Sequence, residues 1–180
     1  MGTRRVHVGC EFTFVAEIAT PTVFQVEPST DERVDIADAA WRTTPQLNTR
    51  TYSDVYGNPC TRLILPPGTS TVGYSALATV PAEAEPVDES APEIAAEDLP
   101  DEVLLYTLPS RYCLPDVLGD HAWAQFGSLP RGYIRVQAVV DYVNHYLRFE
   151  YGTSLATSSA VDVFQSGVGV CRDFAHLAIS

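Results

Sequence analysis

Apolar and polar positions alternate with a period of two from residue 3 to about residue 80, as in strands with one buried face. Runs rich in β-branched and aromatic residues at 6–8, 11–16, 22–27, 49–56, 60–65 and 71–80 are predicted strands. Gly57-Asn58-Pro59 and Pro66-Pro67-Gly68 supply turns between them. This spacing predicts an antiparallel β-sandwich-like domain over residues 1–80. Residues 34–41 are the ambiguous stretch, because Ile36-Ala37-Asp38-Ala39-Ala40 also admits a helical turn.

Further along, the period lengthens to about 3.6. Residues 116–126 form a predicted helix stopped by Gly127. A second helix is predicted over 136–149, with Val136, Val139, Val143, Tyr146 and Leu147 on one face. A short helix over 158–165 takes Ser158 or Ser159 as its N-cap, with Asp162 near the third helical position. It ends at Ser166-Gly167, and a last helix begins at Cys171 with Phe174, Leu177 and Ala178 turned inward. Between the two regimes, residues 81–100 carry Glu83, Glu85, Asp88, Glu89, Glu93, Glu97 and Asp98 with no basic or aromatic residue. That stretch is expected to be a solvated linker, with an acidic docking tail as the alternative. The expected organisation is α+β: a β-rich domain (1–80), an acidic linker (81–100) and a helical part (101–180).

Composition narrows the function. The formal net charge is -12, and all 11 basic residues are Arg. A nucleic-acid partner is therefore not expected, since it needs a basic face. No apolar run reaches membrane-spanning length, so no membrane partner is expected. Val6-His7-Val8-Gly9-Cys10-Glu11 interrupts any signal-peptide core, and Val6 stands where N-myristoylation requires Ser or Thr. A cytoplasmic location follows as the expectation. The 4 cysteines, Cys10, Cys60, Cys113 and Cys171, form no Cys-x-x-Cys and have no His at ligand spacing. Neither a structural zinc nor any other cofactor is expected. Reduced thiols are expected rather than two disulfides, with Cys10, Cys60 and Cys113 as small buried hydrophobes. Nothing in the sequence sets an oligomeric state.

The candidate chemistry lies at Gly169-Val170-Cys171-Arg172-Asp173-Phe174-Ala175-His176. A thiolate on the first residue of a helix is stabilised by its positive end. Gly167 and Gly169 let the chain turn tightly and leave the thiol approachable, and first-turn amides can receive an oxyanion. Asp173 opposes the thiolate by charge and Arg172 can offset it. The competing reading is a buried core cysteine after a glycine turn. His176 lies about 100° further round the helix from Cys171 and 7–8 Å along it, roughly, so it is expected to be structural.

The spacing of Leu155, Thr157, Ala160-Val161-Asp162-Val163, Gly167 and the Cys171 segment resembles the nucleophile region of bacterial transglutaminase-like proteins. Leu108-Pro109-Ser110-Arg111-Tyr112-Cys113 resembles the start of that core, and Tyr56-Gly57-Asn58 resembles part of its β-rich N-terminal region. The resemblance implies a papain-like Cys-His-Asp mechanism with Cys171 as catalytic nucleophile, acting on a peptide or protein substrate. It implies thiol-dependent acyl transfer or hydrolysis at peptide or carboxamide bonds, with the His and Asp downstream of Ser180. These residues would then be a truncated core, inactive alone. His121-Ala122-Trp123 matches the family's His-Ala-Trp base segment in letters, but it lies upstream of Cys171 in a helical pattern, where relatives have a helix without catalytic duty. The alternative is a non-catalytic peptide- or protein-interaction module with a vestigial core.

Overall fold

The computed structural model describes residues 2–30 and 33–180. The chain divides into two compact units, residues 1–85 and 86–180. The architecture is α+β, with antiparallel sheets in the first unit and helices in the second.

In the first unit, β1 (Thr3–Ala16), β6 (Gly68–Pro81) and β3 (Asp35–Thr44) form one sheet in the order β1-β6-β3. The other contains β2 (Thr20–Phe24), β5 (Pro59–Leu65) and β4 (Arg50–Ser53) in the order β2-β5-β4. Every pairing in the two sheets is antiparallel. Alternation sets which side chains face inward. On β6, Ser70, Val72, Tyr74, Ala76 and Ala78 are buried at every second position, opposite Phe14, Phe12, Cys10, Val8 and Val6 of β1. Phe24, Leu63 and Leu65 from the second sheet close on Val72, Phe14 and Trp41 from the first. Each large apolar side chain removed from water here contributes about 1.5–3 kcal/mol. Phe24 is the hub of an aromatic cluster, with ring centroids 5.8 Å from Phe14 and 5.7 Å from Trp41.

Several predicted boundaries move. The strands expected at 6–8 and 11–16 are one strand of 14 residues. Gly9 reads as a break but is needed by the pairing, because a Cβ there would lie 2.5 Å from the Tyr74 carbonyl oxygen. Residues 36–40 are strand rather than helical turn. Register shifts between Ala37 and Ala40, where Asp38 and Ala39 together oppose Ala76, and Asp38 takes φ 53°. This is a β-bulge, and its extra residue masks the alternation. The strand expected over 49–56 stops at Ser53, because Asp54 captures the turn. Its Oδ1 accepts from the Tyr56 and Asn58 amides at 2.8 and 2.9 Å. Its Oδ2 accepts from the Asn58 side chain at 3.0 Å and Gln25 at 2.9 Å. Of the cysteines expected to be buried, Cys60 is, whereas Cys10 and Cys113 are half-buried.

The second unit begins within the acidic stretch. The Ala91 carbonyl accepts from the Tyr133 amide at 3.0 Å, and Glu93 pairs with Arg135 at 3.3 Å. Two 3-10 turns follow, at Ala96–Asp98 and Asp101–Thr107. The helices are α1 (Pro115–Phe126), α2 (Tyr133–Tyr146), α3 (Ala160–Ser166) and α4 (Cys171–Ile179). Helix α2 starts and ends three residues before its predicted 136–149 span. Its buried seam is Val143 continuing into Leu147, whereas Val136, placed on the same face by the sequence, is exposed. Arg148–Phe149 form a short strand, β7, parallel to β8 (Val168–Gly169). The core joins Leu118, Val143, Leu147, Ala160, Val163 and Leu177.

Candidate functional site

Helix α3 sets up the approach to Cys171. Its N-cap is Ser159, and the capping box is complete: the Asp162 carboxylate accepts from the Ser159 amide at 2.8 Å and the Ser159 hydroxyl accepts from the Asp162 amide at 3.4 Å. Such a cap is worth about 1 kcal/mol. The Ser159 amide, followed by its hydroxyl, holds the Asp162 carboxyl below the usual carboxylate range. The helix ends at Gly167, φ 67°, and β8 then pairs with β7. The Arg148 and Glu150 amides donate to the Gly167 and Gly169 carbonyls, each at 3.0 Å. This pins the turn at Gly169, two residues before α4 begins.

Cys171 is the first residue of α4 and a free, exposed thiol. The buried-core reading of this cysteine therefore does not describe the fold. Its backbone N–H and that of Arg172 find no acceptor among the described residues, as expected for the first turn of a helix. The next turn is tied by Asp173, which is fully buried. Its carboxylate accepts from the Val170 amide at 2.8 Å and from the Ser154 hydroxyl at 3.0 Å. Arg172 Nε approaches the same carboxylate at 3.5 Å, while its Nη2 donates to Ser154 Oγ at 2.9 Å and to the Leu155 carbonyl. The charge opposed to a thiolate is thus withdrawn inside and answered by Arg172. A Cβ on Gly169 would fall 2.8 Å from the Asp173 Cβ, so glycine is what lets the buried carboxylate fold back under the turn.

Neither histidine of this unit's helices α1 and α4 bonds to Cys171 among the described residues. His176 stacks on Tyr112 with ring centroids 5.1 Å apart, and its Nδ1 is buried without a partner. His121, on α1, meets the Tyr142 hydroxyl through Nε2 at 3.0 Å and packs on Phe164 at 4.7 Å. It lines an apolar cavity of about 150 Å³ with Leu118, Tyr142, Phe164 and Leu177, which Cys171 does not reach. Burial, and then the neighbouring Tyr146, push the Tyr142 phenol above its ordinary range. Among the described residues no group of three or more His, Cys, Asp or Glu side chains could hold a metal ion, and no helix is long and apolar enough to cross a membrane.

Sequence reasoning did not find Ser154. It sits 19 residues before Asp173, in a loop whose only local signal is a Gly-Thr-Ser run.

No protein-family model matches the chain, and no curated protein sequence does. Among solved structures, the fold is similar to that of a "putative cysteine protease" from Cytophaga hutchinsonii, at a TM-score of 0.90 and 25% identity. The match covers 99% of this chain and 63% of the Cytophaga chain. The chain therefore has a cysteine-protease-like fold and spans less than two thirds of the protein it resembles.

Proposed function

We propose that Cys171 is the nucleophile of a thiol-dependent acyl-transfer or hydrolysis reaction at peptide or carboxamide bonds, in a protein of the transglutaminase-like superfamily. The observation that carries this reading is the exposed thiol on the first residue of α4 beside two amides without acceptors. The likeness to the Cytophaga protein, itself described as a "putative cysteine protease", supports it.

In this reading the Cys171 thiolate attacks the substrate carbonyl carbon, and the oxyanion that forms lies against the Cys171 and Arg172 amides. The carbon–nitrogen bond then breaks, the amine leaves with a proton from a histidine, and a thioester remains on Cys171. Water or an amine attacks the thioester, returning the thiol and releasing an acid or a new amide. The histidine and its aspartate are assigned to polypeptide beyond these 180 residues, as the transglutaminase-like resemblance implies; neither His121 nor His176 bonds to Cys171 among the described residues. The substrate is a peptide or protein.

Timed alkylation with iodoacetamide, mapped to each cysteine, tests the first requirement. Cys171 is expected to react faster than Cys10, Cys60 and Cys113, and faster than glutathione at the same pH. Reaction of Cys171 only on unfolding would overturn the reading and leave a non-catalytic interaction module. In a polypeptide that carries the histidine and aspartate, Cys171→Ala is expected to abolish turnover of a peptide amide while leaving the melting temperature nearly unchanged.

A further inference from the structure

The outer face of the β2-β5-β4 sheet carries an arrangement that the chemistry at Cys171 does not use. Arg50 of β4 and Arg62 of β5 stand directly opposite one another in the strand register. Like charges so placed repel, and neither arginine forms an ion pair among the described residues. The chain has 23 acidic residues. Yet the ion pairs among the described residues engage Arg33, Arg135, Arg148 and Arg172 instead. Gln46 and Asn48 flank the pair, and neither side chain makes a hydrogen bond among the described residues. With Pro21 and Ile64 they surround a concavity of about 560 Å³. Beside it runs β4, an edge strand with all four residues exposed and no backbone hydrogen bond on its outer side among the described residues.

We propose that the free edge of β4 beside this concavity docks an extended acidic peptide segment, with a carboxylate reaching the Arg50–Arg62 pair. Guanidinium groups match carboxylates two bonds at a time, so one acidic side chain between them removes the repulsion and satisfies both. Alternate residues of an added strand share one face of the sheet, so acidic residues two apart present to the same side as the arginines. The Gln46 and Asn48 amides donate to the second carboxylate or to peptide carbonyls. The open strand edge favours a peptide over a free inorganic anion. The net charge of -12 discourages indiscriminate anion binding, so recognition rests on this local pair.

The test is fluorescence anisotropy of the whole chain with the end-blocked, dye-labelled peptide Thr-Glu-Val-Glu-Thr, against Thr-Gln-Val-Gln-Thr at matched ionic strength. The Glu peptide is expected to bind at least about tenfold more tightly, and Arg50→Gln and Arg62→Gln each to weaken it by about tenfold. Neither variant should lower the melting temperature, because each relieves a like-charge pair. Ile64→Glu, which places a carboxylate on the same exposed face two residues from Arg62, should abolish binding of the Glu peptide. Equal binding of the two peptides, or an Arg50→Gln/Arg62→Gln double variant that binds like the parent, overturns the proposal. Displacement of the Glu peptide by inorganic phosphate at equal concentration also overturns it, in favour of a small-oxyanion site.

Discussion

In the β unit the side chains that close the core come from two sheets and pack ring against ring, while in the helical unit they come from four helices and leave a cavity among them. The difference follows from backbone geometry. The antiparallel ladders, fourteen consecutive β1–β6 pairs among them, fix which face each side chain takes, so Phe14, Phe24, Trp41 and Tyr74 meet with little freedom, down to 5.3 Å between Trp41 and Tyr74. Helices touch along short seams, and α1 to α4 meet around a space of about 150 Å³ beside His121 and Phe164. The β unit is therefore specified by its ladders. The helical unit relies on polar pins: the Ser159–Asp162 box, the β7–β8 pair and buried Asp173.

The sharpest way to break this comparison is to remove one pin from each unit. Asp173→Ala leaves the Val170 amide and the Ser154 hydroxyl without their acceptor around a buried position and is expected to cost about 3 kcal/mol. In the β unit, Glu27 accepts from Trp41 Nε1 at 3.2 Å and Thr61 Oγ1 at 2.8 Å. Glu27→Ala is expected to cost only about 1 kcal/mol, because the aromatic packing stays. Urea unfolding followed by far-ultraviolet dichroism and by Trp41 fluorescence reads the two; equal losses would refute the contrast.

A second pair sharpens it with one substitution type. Ala178 lines the helical cavity, so Ala178→Leu is expected to be neutral or to raise stability by up to about 1 kcal/mol. Ala76 is buried on β6, so Ala76→Leu overpacks and is expected to cost about 2 kcal/mol. A stabilised Ala76→Leu would show slack in the β core.

Acid is expected to act on both units and least strongly. The Asn58 side-chain amide, followed by the Asn58 and Tyr56 backbone amides and Gln25, holds the Asp54 carboxyl below its usual range, as Ser159 does for Asp162. A carboxyl lowered in the folded state stabilises fully above its unfolded value and loses that contribution as pH falls through the folded value. The loss belongs below about pH 4. Acid titration of Asp54→Asn and Asp162→Asn by dichroism should show a flatter slope than the parent.

What the sequence makes legible are features decided by neighbours a few residues apart. The alternation on β6, the Ser159–Asp162 spacing and the helix beginning at Cys171 are all of this kind. The Asp38 bulge and the unbroken run through Gly9 escape it, because each is set by a partner strand more than thirty residues away. At the candidate site, Asp173 is visible as an acid in a first helical turn. Its burial is not, because that depends on Ser154 and on the absent Cβ of Gly169.

The β unit begins and ends on partnered strands. Thr3 lies opposite Pro81, and just beyond them the Ala82 amide donates to the Gly2 carbonyl at 3.0 Å. The polypeptide thus enters and leaves this unit side by side, a wiring that suits grafting into another chain. It also fixes the mechanical character of the unit. Tension applied through its two ends falls on one rung of the β1–β6 ladder at a time, so the strands peel apart as a zipper does. Fourteen pairs that are strong together against heat or denaturant are weak in turn against a pull.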